Sequence, residues 1–356
     1  MRPTRWLPAA LLALGLLACG RLTATPAPAA TASPHLPAAT PSAAATGTLP
    51  ATVTALPPTP AASPSPPIGV TSPAAPTAGP TAGPPPPVVI LSFDGLRADA
   101  AETGNLPNLH ALAARGAYTY HARTTFPPAT LPSHASMLSG VGPEVHGLLW
   151  NDTDPARGLI GVPTIFSVAH EAGLTTVLVA GKEKFLHFNL PGTIDRYTFV
   201  TNGDQGIADQ AVVEAQAGFD LLMVHFPNPD YFGHLDGWMS ATYLYQLKRT
   251  DDALGRLLAA LPPQAVVIAT ADHGGHGFVH GADLPADMTI PWIIAGPGVR
   301  QNYALTGPVT TTDTAVTAAY LLGLTFPGAV AGRPVWEAFT NLPPLVTQTT
   351  ATPAAP

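Results

Sequence analysis

Residues 88–97 read VVILSFDGLR. The run opens without polar alternation, as expected of a strand buried on both faces of a helix-covered parallel sheet. Asp94-Gly95 then turns the chain directly at the strand's carboxyl end. Three more runs repeat the pattern: TTVLVA at 175–180, LLMVHF at 221–226 and AVVIAT at 265–270, with a fifth at 290–295. Helical patterns lie between them. The longest is 242–261, with Tyr243, Leu247, Ala253 or Leu254, and Leu257 to Leu258 on one side; 106–115, 163–172 and 313–322 each precede a glycine (Gly116, Gly173, Gly323) suited to a left-handed cap. The alternation predicts an α/β fold, a doubly wound and mostly parallel sheet with helices on both faces.

Polar residues collect where these strands end. Asp94 follows the first, Asp230 closely follows the third, and Asp272-His273 follows the fourth. In open α/β sheets, sites form outside the carboxyl ends of the strands. Only 10% of the residues are charged, so this grouping at one sheet edge marks a site. Four segments carry it: SFDGLR around Asp94, PATLPSHASMLSG (128–140) around Thr130, PNPDYFGHLDG (227–237) with Asp230 and His234, and ATADHGGHGFVHG (269–281). Mixed histidine and aspartate donors suit zinc or another first-row divalent ion, and the carboxylates are too few for calcium. Two adjacent ions would clamp the attacking and leaving oxygens of a phosphoryl transfer. Singly, each segment has a plainer reading. Asp94-Gly95 can be a simple turn, Asp230 and His234 a chance pair four apart, and His273, His276 and His280 a surface cluster. Thr130 can be a polar helix cap. Pro132 suits the first turn of a helix and would set Thr130 at an N-terminus whose free N–H groups favour an anion. The four segments together are far more specific than any one.

These segments resemble the alkaline phosphatase superfamily, most closely its type I phosphodiesterase and nucleotide pyrophosphatase branch, from Val88 to about Trp336. The motif order matches: Asp-Gly-x-Arg after a strand, Thr-x-Pro-x-His, Ser-Gly, Pro-Glu-x-His-Gly, Asp-x-x-x-His within residues 230–234, and Asp-His-Gly. The resemblance implies an alkaline phosphatase-like catalytic domain over 88–342 and two divalent metal ions, zinc by ligand type. Asp94, Thr130, Asp272 and His273 would hold one ion; Asp230, His234 and His280 would hold the other, with His276 the alternative to His280. Thr130 would be the nucleophile, forming a covalent phosphothreonine from a small phosphate ester such as a nucleotide or a lipid head group. A substrate-binding asparagine expected three residues after the nucleophile is Ser133 here, a shorter donor. Arg97, Trp150, Asn151, Lys182, Lys184, Tyr231 and Phe232 are candidates for lining the pocket. Sulfatases of this superfamily need a cysteine or serine where Thr130 stands, which excludes their chemistry. A phosphomonoesterase or a phosphoethanolamine-type transferase is the alternative, and a non-catalytic metal-binding lipoprotein a further one.

The ends of the chain read differently. Residues 1–20, MRPTRWLPAALLALGLLACG, carry Arg2 and Arg5, then a short apolar stretch, then small residues around Cys19, as in an export signal. Residues 16–19 resemble the lipobox of bacterial lipoproteins. That resemblance implies a signal peptide over 1–19, lipidation of Cys19 and a membrane anchor on the outer face of a bacterial membrane; ordinary secretion is the alternative. Cys19 is the only cysteine, which rules out an intramolecular disulfide. Residues 20–87 are rich in Pro, Ala and Thr and predict a disordered, semi-rigid stalk reaching up to roughly 200 Å; 343–356 read as a tail of similar composition. The net charge is −7 and every acidic residue lies in the central domain, and no basic run points to a nucleic acid duplex as partner.

Overall fold

The structure is a computed structural model that describes residues 84–340. The expected signal peptide, Cys19, the tail and all but the last residues of the expected stalk lie outside the described residues.

The eight strands are β1 (Val88–Phe93), β2 (Gly116–Arg123), β3 (Thr176–Ala180), β4 (Arg196–Phe199), β5 (Leu221–Phe226), β6 (Val266–Thr270), β7 (Thr289–Ala295) and β8 (Tyr303–Ala304). They form one sheet in the order β4-β3-β5-β1-β6-β7-β2-β8. From β4 to β6 the neighbours are parallel, with Val88 of β1 in register with Leu221 of β5 and Val266 of β6. β1 and β5 are buried along their whole length, as their unbroken apolar runs require. The helices are α1 (Ala98–Thr103), α2 (Pro107–Ala114), α3 (Thr130–Ser139), α4 (Pro143–His146), α5 (Ile165–Glu171), α6 (Gly203–Ala217), α7 (Asn228–Asp236), α8 (Ala241–Ala260), α9 (Pro285–Met288) and α10 (Asp313–Leu321). α8 packs against α2, α6 and α7, while α3, α5 and α10 pack on one another.

Three features depart from the sequence expectation. The fifth run, β7, is antiparallel to β6, because residues 271–288 return the chain from the carboxyl edge without a long crossover helix. β2 and β4 are further strands; GAYTYHAR and RYTF mix polar with apolar residues and fit half-covered strands better than core runs. Gly116 does not cap α2. It opens β2, where a Cβ would stand 2.0 Å from the Ile294 carbonyl oxygen, so its cause is close strand approach. Gly173 and Gly323 do take positive φ, at 78° and 71°.

Burying an aliphatic side chain contributes roughly 1.5–3 kcal/mol, so a polar side chain inside a core strand needs a local cause. Ser92 in β1 and His225 in β5 are fully buried and in register with each other. Both serve the carboxyl edge of the sheet.

Candidate active site

The edge is assembled from the ends of β1, β5 and β6 and the start of α3. Asp94 leaves β1, and Gly95 follows with φ 70°. A Cβ there would lie 2.8 Å from the Asp230 Cα, so the glycine is what lets the first turn of α7 close against β1. The Gly95 carbonyl is held by Trp238 Nε1 at 2.9 Å and by the Tyr243 hydroxyl at 3.0 Å. β6 delivers Asp272 and His273, and the glycines after them admit close neighbours: a Cβ on Gly274 would meet the Ala286 carbonyl oxygen at 2.0 Å, and one on Gly275 the Trp238 ring at 2.2 Å. Thr130 is the first residue of α3 and fully buried.

His134, one helical turn on, fixes that end of α3. Its Nδ1 lies 2.7 Å from the Thr130 carbonyl oxygen and therefore carries the proton; Nε2 accepts from Ser92 Oγ at 2.8 Å. Burial first, and then the neighbouring His225, push its pKa well below the usual histidine value, so the ring is neutral. Leu131 N–H donates to Asn151 Oδ1 at 3.0 Å. Since Pro132 has no N–H, the expected anion cradle of the helix start is smaller than the sequence suggested; Asn151 Nδ2, with no partner among the described residues, stands beside it as a donor.

The carboxylates share one design. Asp94 Oδ2 accepts from His225 Nε2 and pairs with Lys182 Nζ, both at 2.8 Å. Asp230 Oδ2 accepts from Lys182 at 2.6 Å. Asp272 Oδ1 accepts the N–H groups of Gly95 (3.1 Å) and His273 (2.9 Å). The other oxygen of each, Asp94 Oδ1, Asp230 Oδ1 and Asp272 Oδ2, is buried without a partner, as is His273 Nε2. His273 Nδ1 donates to the Gly274 carbonyl at 2.7 Å, so its Nε2 lone pair faces Asp272 Oδ2 at 3.3 Å and Asp94 Oδ1 at 3.5 Å. His234 and His280 repeat the geometry. Their Nδ1 atoms bind the carbonyls of Phe278 (2.9 Å) and Pro128 (2.8 Å), and their Nε2 atoms lie 3.4 and 3.6 Å from Asp230 Oδ1.

Buried lone pairs aimed at one another are costly unless a cation lies between them. Two groups satisfy the requirement for a metal: Asp94, Asp272 and His273, and Asp230, His234 and His280, the ligand atoms in each lying within 4.8 Å of one another. Backbone carbonyls orient all three imidazoles, as is usual for metal ligands. The donor set therefore fits two divalent ions.

The carboxylates ionise differently. Burial, and then the Asp94 charge, push Asp272 up to about 7. Burial opposes ionisation of Asp94 as well, but Lys182, His225 and His273 outweigh it and hold the group well below the usual range. Asp230 is likewise lowered, Lys182, His234 and His273 overcoming burial and the Asp94 charge.

The remaining sequence candidates divide. His276 is turned away, its Nδ1 on Asp287 Oδ1 at 2.7 Å, and thereby braces the loop that carries His280. Ser133 is fully buried, and its hydroxyl accepts from Thr124 Oγ1 at 3.1 Å, a donor that also reaches the Asp272 carbonyl. Arg97 binds Asp99 and the Gly275 carbonyl. Lys182, Tyr231 and Phe232 line a cleft of about 850 Å³ together with Asn202, Asn228 and Leu235. Lys184 donates to the Asn151 carbonyl, and Trp150 lies near His187. Sequence reasoning left two site residues unremarked: His225, which reads as part of a core strand, and His134, which appeared only within a motif.

The profile of the type I phosphodiesterase / nucleotide pyrophosphatase family matches residues 88–172 and 174–283. The ectonucleotide pyrophosphatase/phosphodiesterase family member 3 of Rattus norvegicus is 27% identical over 221 residues, covering 53% of this chain and 25% of the relative. A venom phosphodiesterase of Macrovipera lebetinus is 27% identical over 216 residues, covering 53% and 25%. The chain thus spans about a quarter of the length of these relatives. Among solved structures, murine ectonucleotide pyrophosphatase / phosphodiesterase 5, in an inactive threonine-to-alanine form in complex with AMP, superposes with a TM-score of 0.60 at 17% identity, covering 69% of this chain and 97% of that one. A 2-O GAG sulfatase superposes with a TM-score of 0.58 at 19% identity, covering 70% and 73%. Motif order, the grouping of the carboxylates and imidazoles, and the matched profile agree: the chain belongs to the type I phosphodiesterase / nucleotide pyrophosphatase family.

Proposed function

We propose that the protein is a metal-dependent phosphodiesterase of the nucleotide pyrophosphatase type, working through a covalent phosphothreonine on Thr130. The observation that carries this reading is the set of four partnerless buried atoms, Asp94 Oδ1, Asp230 Oδ1, Asp272 Oδ2 and His273 Nε2, gathered beside a buried threonine hydroxyl. Asp94, Thr130, Asp272 and His273 would hold one ion, and Asp230, His234 and His280 the other; zinc suits this donor set. Bound there, the ions supply Lewis acidity, lowering the pKa of a coordinated hydroxyl and neutralising charge that develops on phosphoryl oxygens.

The protein's own groups do the rest. His134 holds the Thr130 carbonyl, and with it the start of α3. Deprotonated Thr130 Oγ1 attacks phosphorus; its bond to phosphorus forms as the bond to the leaving oxygen breaks, and the leaving alcohol takes a proton from water. Water then attacks the phosphothreonine, and the Thr130 oxygen leaves and regains a proton. Asn151 Nδ2 is placed to donate to a phosphoryl oxygen during both steps. The cleft beside Lys182 takes the leaving group. Tyr231 and Phe232 stand edge to face there at 5.1 Å, with Tyr231 exposed, and offer an aromatic wall to a nucleoside. The names of the relatives and the AMP in the murine neighbour support the nucleotide reading.

The zinc-loaded protein is expected to hydrolyse bis-p-nitrophenyl phosphate at least about tenfold faster, in kcat/KM, than p-nitrophenyl phosphate. The reverse order would favour a monoesterase. No turnover of either ester, or of a panel of nucleotides, would end the enzyme reading.

Metal binding should also depend on pH. Asp272 is raised to about 7 in the metal-free site, so it carries a proton below that pH, and an entering ion must displace it. His234, raised first by its bond to Asp230, adds to the trend. Apparent zinc affinity should therefore rise about tenfold or more per pH unit up to pH 7 and then level off. Calorimetric titration in buffers of different ionisation heat should show about one to two protons released at pH 6 and few at pH 8.5. Equal release at both would contradict the assignment.

A further inference from the structure

Lys182 has a place among these groups that neither the motifs nor the fold requires. It follows Gly181 just past β3, and a Cβ on Gly181 would lie 2.3 Å from Pro227 Cδ, so only glycine lets this loop close over the end of β5. The Gly181 N–H donates to His225 Nδ1 at 3.2 Å, while His225 Nε2 donates to Asp94 Oδ2 at 2.8 Å. The backbone before Lys182 and the carboxylate that Lys182 binds are thus tied through one buried imidazole. From this anchor the ammonium meets three acceptors: Asp230 Oδ2 at 2.6 Å, Asp94 Oδ2 at 2.8 Å and Thr130 Oγ1 at 3.2 Å.

Two features separate this arrangement from an ordinary buried ion pair. The carboxylate oxygens that Lys182 takes are the opposite ones to those left bare, so the ammonium and the two metal groups use different atoms of Asp94 and Asp230 and do not compete. Its third N–H is spent on the one hydroxyl in the cluster. An ammonium has three donors, and all three are matched here, which fixes its position and leaves none for a substrate oxygen.

We propose that Lys182 is a catalytic residue, a covalently tethered third cation that holds the Thr130 oxygen in line for attack and stabilises the negative charge on it. The proposal rests on the reading of Thr130 as nucleophile. All three donors of Lys182 are directed at Asp230, Asp94 and Thr130, so its role is to donate and not to take the threonine proton, which passes to solvent. Near 3 Å from a fully buried hydroxyl, a fixed positive charge lowers the energy of an oxyanion more than the same charge does in bulk water. Such an effect belongs to the chemical step and not to substrate binding, which sets the signature to look for.

The test uses the zinc-loaded full chain with bis-p-nitrophenyl phosphate, comparing Lys182→Met and Lys182→Gln with the parent and with Thr130→Ala. Ions per chain are measured by atomic absorption, and folding by the thermal midpoint. The glutamine variant retains polarity and is read if the methionine variant does not fold. The expected result is a fall in kcat of roughly 100-fold or more with KM within about threefold of the parent, at the parent's ion content. Two results would overturn the proposal: kcat within about threefold of the parent at full ion content, or a fall that excess zinc reverses, which would mean that Lys182 acts only by supporting the metal ligands. Turnover retained by Thr130→Ala would instead defeat the nucleophile assignment, so the two failures are distinguishable.

Discussion

Exchanging Thr130 for alanine is expected to abolish turnover, with a fall of at least about 10⁴-fold in kcat, while the protein stays folded and keeps its metal. The size of the effect follows from the proposed mechanism, in which no phosphothreonine can form without the hydroxyl and only direct attack by water remains. The small structural effect follows from geometry. The threonine hydroxyl receives one hydrogen bond, from Lys182, and the carbonyl that His134 holds is unaffected. Losing that bond costs about 1 kcal/mol. The six carboxylates and imidazoles proposed as ligands sit just past β1, on α7 and in the segment after β6, where His280 is held by the Pro128 carbonyl. Parallel measurement of kcat, zinc content and thermal midpoint checks all parts. Activity within about tenfold of the parent would remove Thr130 from the chemistry.

The second large effect is expected from chelation. With the ions removed, Asp94 Oδ1, Asp230 Oδ1, Asp272 Oδ2 and His273 Nε2 face one another in the interior without a partner. Turnover should fall below about 10⁻³ of its starting value and return on addition of zinc. Stability should fall too, since free metal at 1,000 times Kd supplies about 4 kcal/mol per site. For a domain of this size that is about 8 °C or more in thermal midpoint. A midpoint and an activity both indifferent to a strong chelator would mean that the cluster holds no ion of consequence.

Both expectations draw on residues that the sequence made visible to different degrees. The core strands were legible because burial on both faces leaves an uninterrupted apolar run, and their ends located Asp94 and Asp272 without further information. β2 and β4 were not, since mixed polar and apolar strands look like loop or helix when read alone. The direction of β7 depends on how residues 271–288 return, which no local pattern states. The choice between His276 and His280 was open in the sequence because both lie in the same glycine-rich segment. In the structure His276 turns toward Asp287, a side chain brought there by the later turn α9, while His280 turns toward Asp230. Lys182 and His225 were the least legible. Lys182 stood only as a candidate for lining the pocket, with a solvated charge as the plainer reading, and a histidine within LLMVHF reads as core; their meeting at Asp94 is a product of strand order, with β3 beside β5 and β5 beside β1. Ser133 shows the converse. It stands in the motif, yet packing turns its hydroxyl to Thr124.

The central claim is that phosphorus is passed to Thr130 and then to water. Each in-line displacement inverts phosphorus, so two restore the starting configuration and one does not. The direct measurement is hydrolysis of a phosphorothioate diester of known configuration by the zinc-loaded protein in ¹⁸O-labelled water, with the configuration of the chiral product then determined. Retention is the predicted result. Inversion would show that water attacks the diester directly, and would contradict the assignment of Thr130 as nucleophile.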